Sequence, residues 1–199
     1  MRTDITMMRP DQLDAGRAML LVIDMQEKLM PLIIDQQRVV GAAIKLIRGL
    51  SVLDLPMVAT EQYPKGIGTT IAPIRDVLAG GNVQTLEKPT FSGWAHPQVR
   101  EAILALDRTQ LIIAGVETHV CVQQTALDLA SRDYDVFVCA DAAGSRGRMD
   151  YECALHRMRQ NRIVVTTVES VLFELCQSSA APRFKALLEI IKSSPPPVG

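Results

Sequence analysis

The sequence predicts a single α/β domain in which a six-stranded, mainly parallel sheet is covered by helices on both faces. Short apolar runs such as Ala18–Ile23 contain no polar residue, which is typical of strands buried on both faces of a parallel sheet. Between these runs, apolar residues recur at helical spacing, as at Val40, Ile44 and Ile47. The two patterns alternate along 199 residues, a length that suits one domain with a large core. Together they predict three layers, with the sheet in the middle.

Six segments have the pattern of strands. The first is wholly apolar, and the others are short, mostly apolar runs bounded by polar or turn-forming residues. The predicted strands span residues 18–23, 56–60, 83–86, 110–114, 135–140 and 163–166. Because helical patterns lie between them, consecutive strands are expected to run parallel, as in Rossmann-like sheets.

Helices are predicted where apolar residues return every three or four positions. These patterns span residues 40–50, 99–106, 120–130, 151–158, 169–176 and 184–191. A loop is predicted at 61–70, since Pro64, Gly66 and Gly68 interrupt any regular pattern. The predicted division of the chain is an N-terminal extension at 1–17, the domain at 18–192 and a flexible, proline-containing tail at 193–199.

Charge and composition exclude several classes of partner. The chain carries 21 Lys and Arg against 22 Asp and Glu and has no basic run, so it lacks the positive surface that a nucleic acid or an anionic membrane requires. Its longest apolar runs are about six residues, whereas a membrane span needs about 20. The N-terminal region lacks the unbroken apolar segment of a secretory signal. The four cysteines form no C-x-x-C pair, and we expect reduced thiols in a cytoplasmic protein.

Three reactive residues follow the ends of predicted strands. Asp24 follows the first strand, Lys88 follows the third, and Cys121 lies in the first turn of the helix after the fourth. Ligands bind parallel sheets beyond the carboxyl ends of the strands, so these residues are expected to converge at a site. Each also has an ordinary interpretation: a cap for Asp24, a solvated charge for Lys88 and a buried packing residue for Cys121.

The chemistry of the three residues fits a nucleophile with its base. A cysteine in the first turn of a helix is expected to feel the positive end of the helix dipole, and a nearby ammonium also lowers a thiol pKa. An acid that accepts the thiol proton would complete the pair, and first-turn amide groups could bind an oxyanion. The other cysteines, at 139, 153 and 176, are interpreted as packing residues.

Four segments resemble the isochorismatase-like cysteine hydrolase superfamily. They are LLVIDMQ at 20–26, EKPTFS at 87–92, IIAGVETHVCV at 112–122 and VFVCADAA at 136–143. The first three occur in the order and spacing of the family, and the resemblance extends from about Ala18 to Ile191. Residues 59–68, ATEQYPKGIG, are most similar to the branch of isochorismatase domain-containing proteins.

The resemblance implies a catalytic triad of Asp24, Lys88 and Cys121. In the family, the Asp acts as general base on the thiol, and the Lys balances the charge of the thiolate and the intermediate. The resemblance also implies a cis peptide bond between Val116 and Glu117, with the amide groups of Glu117 and Cys121 as the oxyanion hole. Attack by the thiolate would give a thioester or thioimidate that water hydrolyses. Family members form dimers, tetramers or larger rings, so a homo-oligomer is expected.

Two features separate the chain from other branches of the superfamily. Nicotinamidases carry an Asp and a cluster of His that bind a metal near the second strand, whereas residues 60–64 contain no His, so neither a metal nor another cofactor is expected. True isochorismatases cleave a vinyl ether without a cysteine nucleophile, and Cys121 therefore favours a small amide, imide or ureide-type substrate. Two alternatives stay open: an isochorismatase-type ether hydrolase, and a binding or assembly protein that keeps the fold without turnover.

Several residues near the site have roles that the sequence leaves open. Tyr63, Phe91 and Trp94 fall in loops beside it and are predicted to form an apolar wall of the substrate pocket, although core packing or a subunit contact explains them equally well. His119 lies two positions before Cys121, and residues so spaced face different sides of a helix, so we expect a supporting role. Asp141 follows the fifth predicted strand and could reach the site or cap the next turn.

Overall fold

Six parallel strands form one sheet in the part of the chain that the structure describes, a computed structural model that covers residues 12–81 and 83–193. The strands are β1 (Ala18–Ile23), β2 (Met57–Gln62), β3 (Gln84–Lys88), β4 (Gln110–Val116), β5 (Asp135–Gly144) and β6 (Val164–Thr166). Their order is β3-β2-β1-β4-β5-β6, and neighbouring strands are parallel. The predicted three-layer α/β class is confirmed.

Helices connect the strands and cover both faces of the sheet. They are α1 (Gln36–Val52), α2 (Pro64–Ile67), α3 (Ala72–Gly80), α4 (Pro97–Ala105), α5 (Gln123–Ala130), α6 (Arg148–Gln160), α7 (Val168–Cys176) and α8 (Phe184–Ser193). A 3₁₀ turn, Met30–Leu32, precedes α1, and a π-helical turn, Thr118–Val122, precedes α5. Within residues 12–81 and 83–193, no helix is long and apolar enough to cross a membrane.

The two core layers explain why β1 is wholly apolar. Leu20 and Val22 pack on one face of the sheet, in the cluster that contains residues of α1, α7 and α8. Leu21 and Ile23 pack on the other face, with residues of α4, α5 and α6. Successive side chains of a strand point to opposite faces, and here both faces are buried. Polar side chains are therefore confined to the end of the strand.

Four strands, β2 to β5, continue past their predicted ends on the carboxyl side. β2 runs to Gln62 and β3 to Lys88, each two residues beyond the end of the apolar pattern. Gln62 and Lys88 are paired in the parallel register although both are polar. The predicted loop at 61–70 is accordingly wrong in part, because it begins inside β2 and contains α2. Helix α3 lies outside the predicted elements.

The direction in which successive strands are added to the sheet changes at β1. The chain adds β2 and β3 on one side of β1 and then β4, β5 and β6 on the other, and in such sheets ligands bind beyond the carboxyl ends of the strands where the order reverses, here β1 and β4. Gly115 of β4 permits the close approach of these two strands. It has a φ of +123°, and a Cβ at this position would collide with the carbonyl oxygen of Ile23.

The segment before β1 is joined to the domain. Residues 1–11 of the predicted extension lie outside the described residues, but Leu13 is buried and the Asp14 amide donates to Gln110 Oε1 at 2.8 Å. At the other end, Ser193 is the last residue of α8, and the rest of the predicted tail, 194–199, also lies outside the described residues.

Candidate active site

Asp24 is a buried carboxylate at the end of β1. Its backbone adopts the left-handed region with a φ of +51°, a conformation that Asp tolerates better than most residues. Its amide donates to the carbonyl oxygen of Thr60 at 3.1 Å, and Thr60 Oγ1 donates to Asp24 Oδ1 at 2.7 Å. These bonds to β2 fix the carboxylate beyond the centre of the sheet, with its second oxygen left for another partner.

That partner is Lys88, the last residue of β3. Its Nζ lies 2.6 Å from Asp24 Oδ2, and neither side chain is exposed to solvent. Lys88 Nζ also donates to Gln62 Oε1 at 2.9 Å and to the carbonyl oxygens of Thr90 and Phe91 at 3.1 and 3.2 Å. An ammonium has three N–H donors, so these four oxygens satisfy it fully. Lys88 is therefore a fixed, buried cation rather than the solvated charge of the ordinary interpretation.

Cys121 lies in the π-helical turn after β4 and is buried. Asp24 and Lys88 lie close enough for their charges to act on its thiol. The pKa of Cys121 is raised to about 12: burial is the largest cause, the negative charge of Asp24 adds to it, and the positive charge of Lys88 opposes both. The shift is opposite to the lowering expected from a helix terminus and an ammonium, because burial and the carboxylate outweigh them. The resting site therefore contains a protonated thiol beside a carboxylate.

Glu117 begins the turn that carries Cys121. The peptide bond between Val116 and Glu117 is cis, and the carbonyl oxygen of Glu117 accepts from the amide of Val120 at 3.0 Å. The carboxylate of Glu117 is buried, and its Oε2 accepts from both the amide and the Nε of Arg146, each at 3.0 Å. These contacts join the turn after β4 to the segment after β5.

Two of the three predicted pocket aromatics lie beside Lys88. Tyr63 is 59% exposed, and its amide donates to the Lys88 carbonyl oxygen at 3.1 Å. Phe91 is 54% exposed, and its carbonyl oxygen accepts from Lys88 Nζ. The third, Trp94, packs within the apolar cluster that also contains Cys121. It is 9% exposed, with its ring centroid 5.5 Å from that of Tyr134, the residue before β5.

The position of Trp94 has a local cause. The neighbouring amide of Gly93 donates to Thr125 Oγ1 of α5 at 2.8 Å, which turns the segment toward that helix. The guanidinium of Arg132 then lies over the Trp94 ring, 5.5 Å from its centroid. Core packing, the alternative interpretation of this residue, is what its contacts support.

A separate cavity of about 210 Å³ lies beyond the carboxyl end of β5, between the first turns of α1 and α6. Its lining includes Arg38, Ser145 and Tyr151, and none of Asp24, Lys88 and Cys121. Ser145 Oγ is 3.0 Å from Nδ1 of His119, so His119 contacts the segment after β5.

Asp141 lies inside the extended β5 and binds the start of α7. Its Oδ1 and Oδ2 accept from the amide of Val168 at 3.0 and 3.1 Å. Burial raises the pKa of Asp141, which the hydrogen bonds from the backbone partly oppose. The capping interpretation, rather than a place in the site, accounts for this residue.

Sequence reasoning missed three residues that surround the Asp24–Lys88 pair. Thr60 and Gln62 are described above, and Gln26 is wholly buried and bonds both the amide and the carbonyl group of Gln62. The signal that could have found Thr60 and Gln62 is their place at the carboxyl end of the strand beside Asp24. The apolar pattern that predicts strands does not single out these two residues, because both are polar.

Comparison with known proteins identifies the family. The model of the isochorismatase domain matches residues 18–170. Isochorismatase domain-containing protein 1 of Salmo salar is 36% identical over 200 residues, which cover 100% of this chain and 69% of that protein. Isochorismatase domain-containing protein 2 of Xenopus laevis is 35% identical over 192 residues, which cover 96% of this chain and 91% of that protein.

Solved structures share the fold over nearly the whole chain. The MAR1 ribonuclease from Caenorhabditis elegans has a TM-score of 0.86 at 32% identity and covers 94% of this chain and 98% of its own. The ycaC gene product of Escherichia coli, described as an octameric hydrolase of unknown specificity, has a TM-score of 0.83 at 26% identity over 90% of each chain. The resemblance seen in the sequence is confirmed, and the chain belongs to the isochorismatase family.

Proposed function

We propose that the protein is a metal-independent cysteine hydrolase of small carbonyl–nitrogen compounds such as amides and imides. The observation that supports this most is the buried Asp24–Lys88 ion pair, which lies close enough to the Cys121 thiol for both charges to act on it. Membership of the isochorismatase family supports hydrolysis as the reaction class. Metal independence is supported by the donors at the end of β2, where residues 60–64 contain no His.

The first half of the proposed reaction transfers the acyl group to sulfur. Asp24 accepts the thiol proton as the Cys121 sulfur forms a bond to the substrate carbonyl carbon, and the carbonyl π electrons move to oxygen. The carbon–nitrogen bond then breaks, and the leaving nitrogen takes the proton from Asp24. The products of this half are a released amine or amide and a thioester on Cys121.

The second half returns the enzyme to its resting state. Asp24 accepts a proton from water as the water oxygen attacks the thioester carbonyl carbon. The carbon–sulfur bond breaks, the acid leaves, and the sulfur regains a proton from Asp24. The raised pKa of Cys121 fits this sequence, because a thiol that is protonated at rest needs an adjacent base to become a nucleophile.

Lys88 and Glu117 have supporting roles in this proposal. The donors of Lys88 are already satisfied by protein oxygens, so its contribution is positive charge beside the forming thiolate rather than a proton for the substrate. The amide groups of Glu117 and Cys121 would form the oxyanion hole. The hydrogen bonds from Arg146 to the carboxylate of Glu117 would hold the first of these in place.

The ribonuclease name of the C. elegans relative suggests RNA as an alternative substrate, which the charge and burial of this chain do not favour. A formal net charge of -1 gives little attraction for a polyphosphate backbone, and a catalytic pair without solvent exposure suits a small molecule better than a strand. Incubation with labelled single-stranded RNA at low salt is expected to give no cleavage above that of a Cys121→Ala variant. Cleavage that this variant lacks would favour the ribonuclease.

Assembly and location belong to the same proposal. The octameric description of the E. coli relative supports a homo-oligomer here, and the exposed rings of Tyr63 and Phe91 offer apolar surface for such a contact. The cysteines at 121, 139, 153 and 176 are all free thiols, which supports a reducing, cytoplasmic location.

The test of the proposed function is a panel of small amides, cyclic imides and ureides. Release of ammonia or amine is measured, and an acyl adduct on the Cys121 peptide is sought by mass spectrometry. We expect turnover by the wild type, loss of turnover in Cys121→Ala, and no change in Cys153→Ala, a matched control because Cys153 is exposed on α6. Turnover that survives in Cys121→Ala would contradict the proposal. A folded wild type with neither turnover nor adduct on any compound would favour the binding-protein alternative, and sensitivity to a chelator would favour a metalloenzyme.

A further inference from the structure

The buried ammonium of Lys88 donates to a neutral side chain as well as to a charged one. Among the residues of the described ranges, Asp24 is the only carboxylate within ion-pair distance of Lys88 Nζ. The second side chain that accepts from Nζ is Gln62, with Oε1 at 2.9 Å. A buried cation needs all of its donors satisfied, because each unsatisfied donor costs the desolvation of that group. Gln62 supplies one acceptor without supplying a second negative charge.

The side-chain amide of Gln62 is held in one orientation. Its Nε2 donates to the carbonyl oxygen of Pro89 at 2.9 Å, so Oε1 must face Lys88. A flipped amide would place an N–H against the ammonium and an oxygen against a carbonyl oxygen, and both contacts would be repulsive. The hydrogen-bond pattern therefore assigns the amide without ambiguity.

The backbone of Gln62 is held as firmly as its side chain. The Gln62 amide donates to Gln26 Oε1 at 2.7 Å, and Gln26 Nε2 donates to the Gln62 carbonyl oxygen at 3.0 Å. Gln26 Nε2 also donates to the carbonyl oxygen of Gly68 at 2.6 Å, and Gln26 is wholly buried. Two buried amide side chains thus connect the segment after β2 to the ammonium at the end of β3.

The neutrality of this acceptor has a chemical consequence. A carboxylate at position 62 would place two anions on one ammonium and add negative charge beside Cys121, where Asp24 already opposes formation of a thiolate. An apolar side chain would leave Lys88 with fewer acceptors and with no contact that fixes it on this side. With Gln62, the charge of Lys88 is offset by one carboxylate and remains available to the sulfur.

We propose that Gln62 is a positioning residue that holds Lys88 Nζ between Asp24 and Cys121 and keeps its positive charge available to the thiolate as it forms. The inference rests on the proposed function, since it assigns Gln62 a part in activating the same nucleophile. Gln62 touches neither the thiol nor, in this proposal, the substrate, and it acts through Lys88.

The test measures alkylation of individual cysteines by iodoacetamide between pH 8 and pH 10, with each cysteine peptide quantified by mass spectrometry. Below the pKa of a thiol, its alkylation rate changes about tenfold for each unit by which that pKa moves. We expect Gln62→Glu to slow alkylation of Cys121 by about tenfold or more, and Gln62→Met to slow it by a smaller factor. The exposed Cys153 is the internal reference in every sample.

Two controls separate positioning from a structural effect. Gln98→Glu adds the same charge on the exposed surface of α4 and is expected to leave Cys121 unchanged. A variant that merely loosens the fold would speed the alkylation of both Cys121 and the buried Cys139, whereas loss of positioning slows Cys121 and leaves Cys139 unchanged. Alkylation of Cys121 at the wild-type rate in Gln62→Glu would overturn the inference, and so would faster alkylation.

Failure of this inference can be told from failure of the proposed function. If the wild type forms an acyl adduct on Cys121 while Gln62→Glu is alkylated like the wild type, only the role of Gln62 is wrong. If the wild type neither forms the adduct nor turns over any compound of the amide panel, the proposed function is wrong whatever the Gln62 variants do.

Discussion

Lys88 and Asp24 form an ion pair, with Nζ 2.6 Å from Oδ2, in which neither side chain is exposed to solvent. The two residues are separated by 64 positions in the chain and meet because β3 and β1 end at the same edge of the sheet. Removal of both charges from water is costly, and the attraction between them repays that cost only while both are present. The fold therefore depends on the pair as a unit.

Loss of one partner should destabilise the protein more than loss of both charges. Lys88→Met leaves the Asp24 carboxylate buried without its cation, and we expect the free energy of unfolding to fall by about 3–5 kcal/mol. The double variant Asp24→Asn, Lys88→Met should lose less than Lys88→Met alone. Urea unfolding of the wild type, the two single variants and the double variant measures the coupling. Additive effects of the single variants would show that the pair is not a unit.

Asp24→Asn should have opposite effects on alkylation and on hydrolysis. The charge of Asp24 raises the pKa of Cys121, so its removal lowers that pKa, and iodoacetamide should alkylate Cys121 about tenfold faster at pH 8. Turnover of any substrate found should fall by about 10²–10⁴-fold, because the general base is lost. The measurement is the rate for the Cys121 peptide relative to Cys153. Slower alkylation in a folded Asp24→Asn protein would mean that the carboxylate does not oppose ionisation of the thiol.

Gly115→Ala should be strongly destabilising. The residue has a positive φ, and the added methyl group would collide with the carbonyl oxygen of Ile23 where β4 approaches β1. We expect a loss of about 3 kcal/mol in the free energy of unfolding. Gly41→Ala is the matched control, because it lies inside α1 with no atom within 4 Å of the new methyl, and it should stabilise by about 0.5–1 kcal/mol. Equal effects of the two variants in urea unfolding would contradict the close approach of the strands.

Stability should fall at alkaline pH in a way that Cys139 partly controls. Burial raises the pKa of Cys139 well above its ordinary value of 9.0, so the thiol stays protonated in the folded chain while the unfolded chain releases its proton above pH 9. The unfolded state then binds fewer protons, and stability decreases as pH rises. Between pH 8 and pH 10 this thiol should account for about 1.4 kcal/mol. Between pH 8 and pH 10, the free energy of unfolding measured in urea should fall by about 1.4 kcal/mol less in Cys139→Val than in the wild type. An equal fall in both proteins would contradict a raised pKa for Cys139.

Residues that follow strand ends could be predicted from the sequence, because strand direction alone places them. Asp24, Lys88 and Cys121 were assigned to one edge on this basis, and the structure brings them together. The packing of Trp94 against Tyr134 could not be predicted, because the neighbouring hydrogen bond joins Gly93 to Thr125, which are far apart in the chain. No local pattern indicates such a contact.

The direction of the Cys121 pKa shift also could not be predicted from the sequence. Local features, a helix terminus and a nearby ammonium, favour the thiolate. Burial and the distance to Asp24 are properties of the folded chain, and they dominate. Gln62 was missed for a related reason, since its importance lies in its contact with Lys88 rather than in its place in the apolar pattern.

The place of Lys88 on β3 makes the site sensitive to partial unfolding. β3 is the last strand at one edge of the sheet, it pairs with β2 alone, and Gln84, Thr85 and Glu87 are exposed. Edge segments with few buried contacts open at lower free energy than central strands and exchange their amide hydrogens faster. Detachment of this one strand would withdraw the ammonium while β1 and β4 still hold Asp24 and Cys121. Moderate heat would therefore separate the charged pair and open β3 to amide exchange while the central strands remained folded.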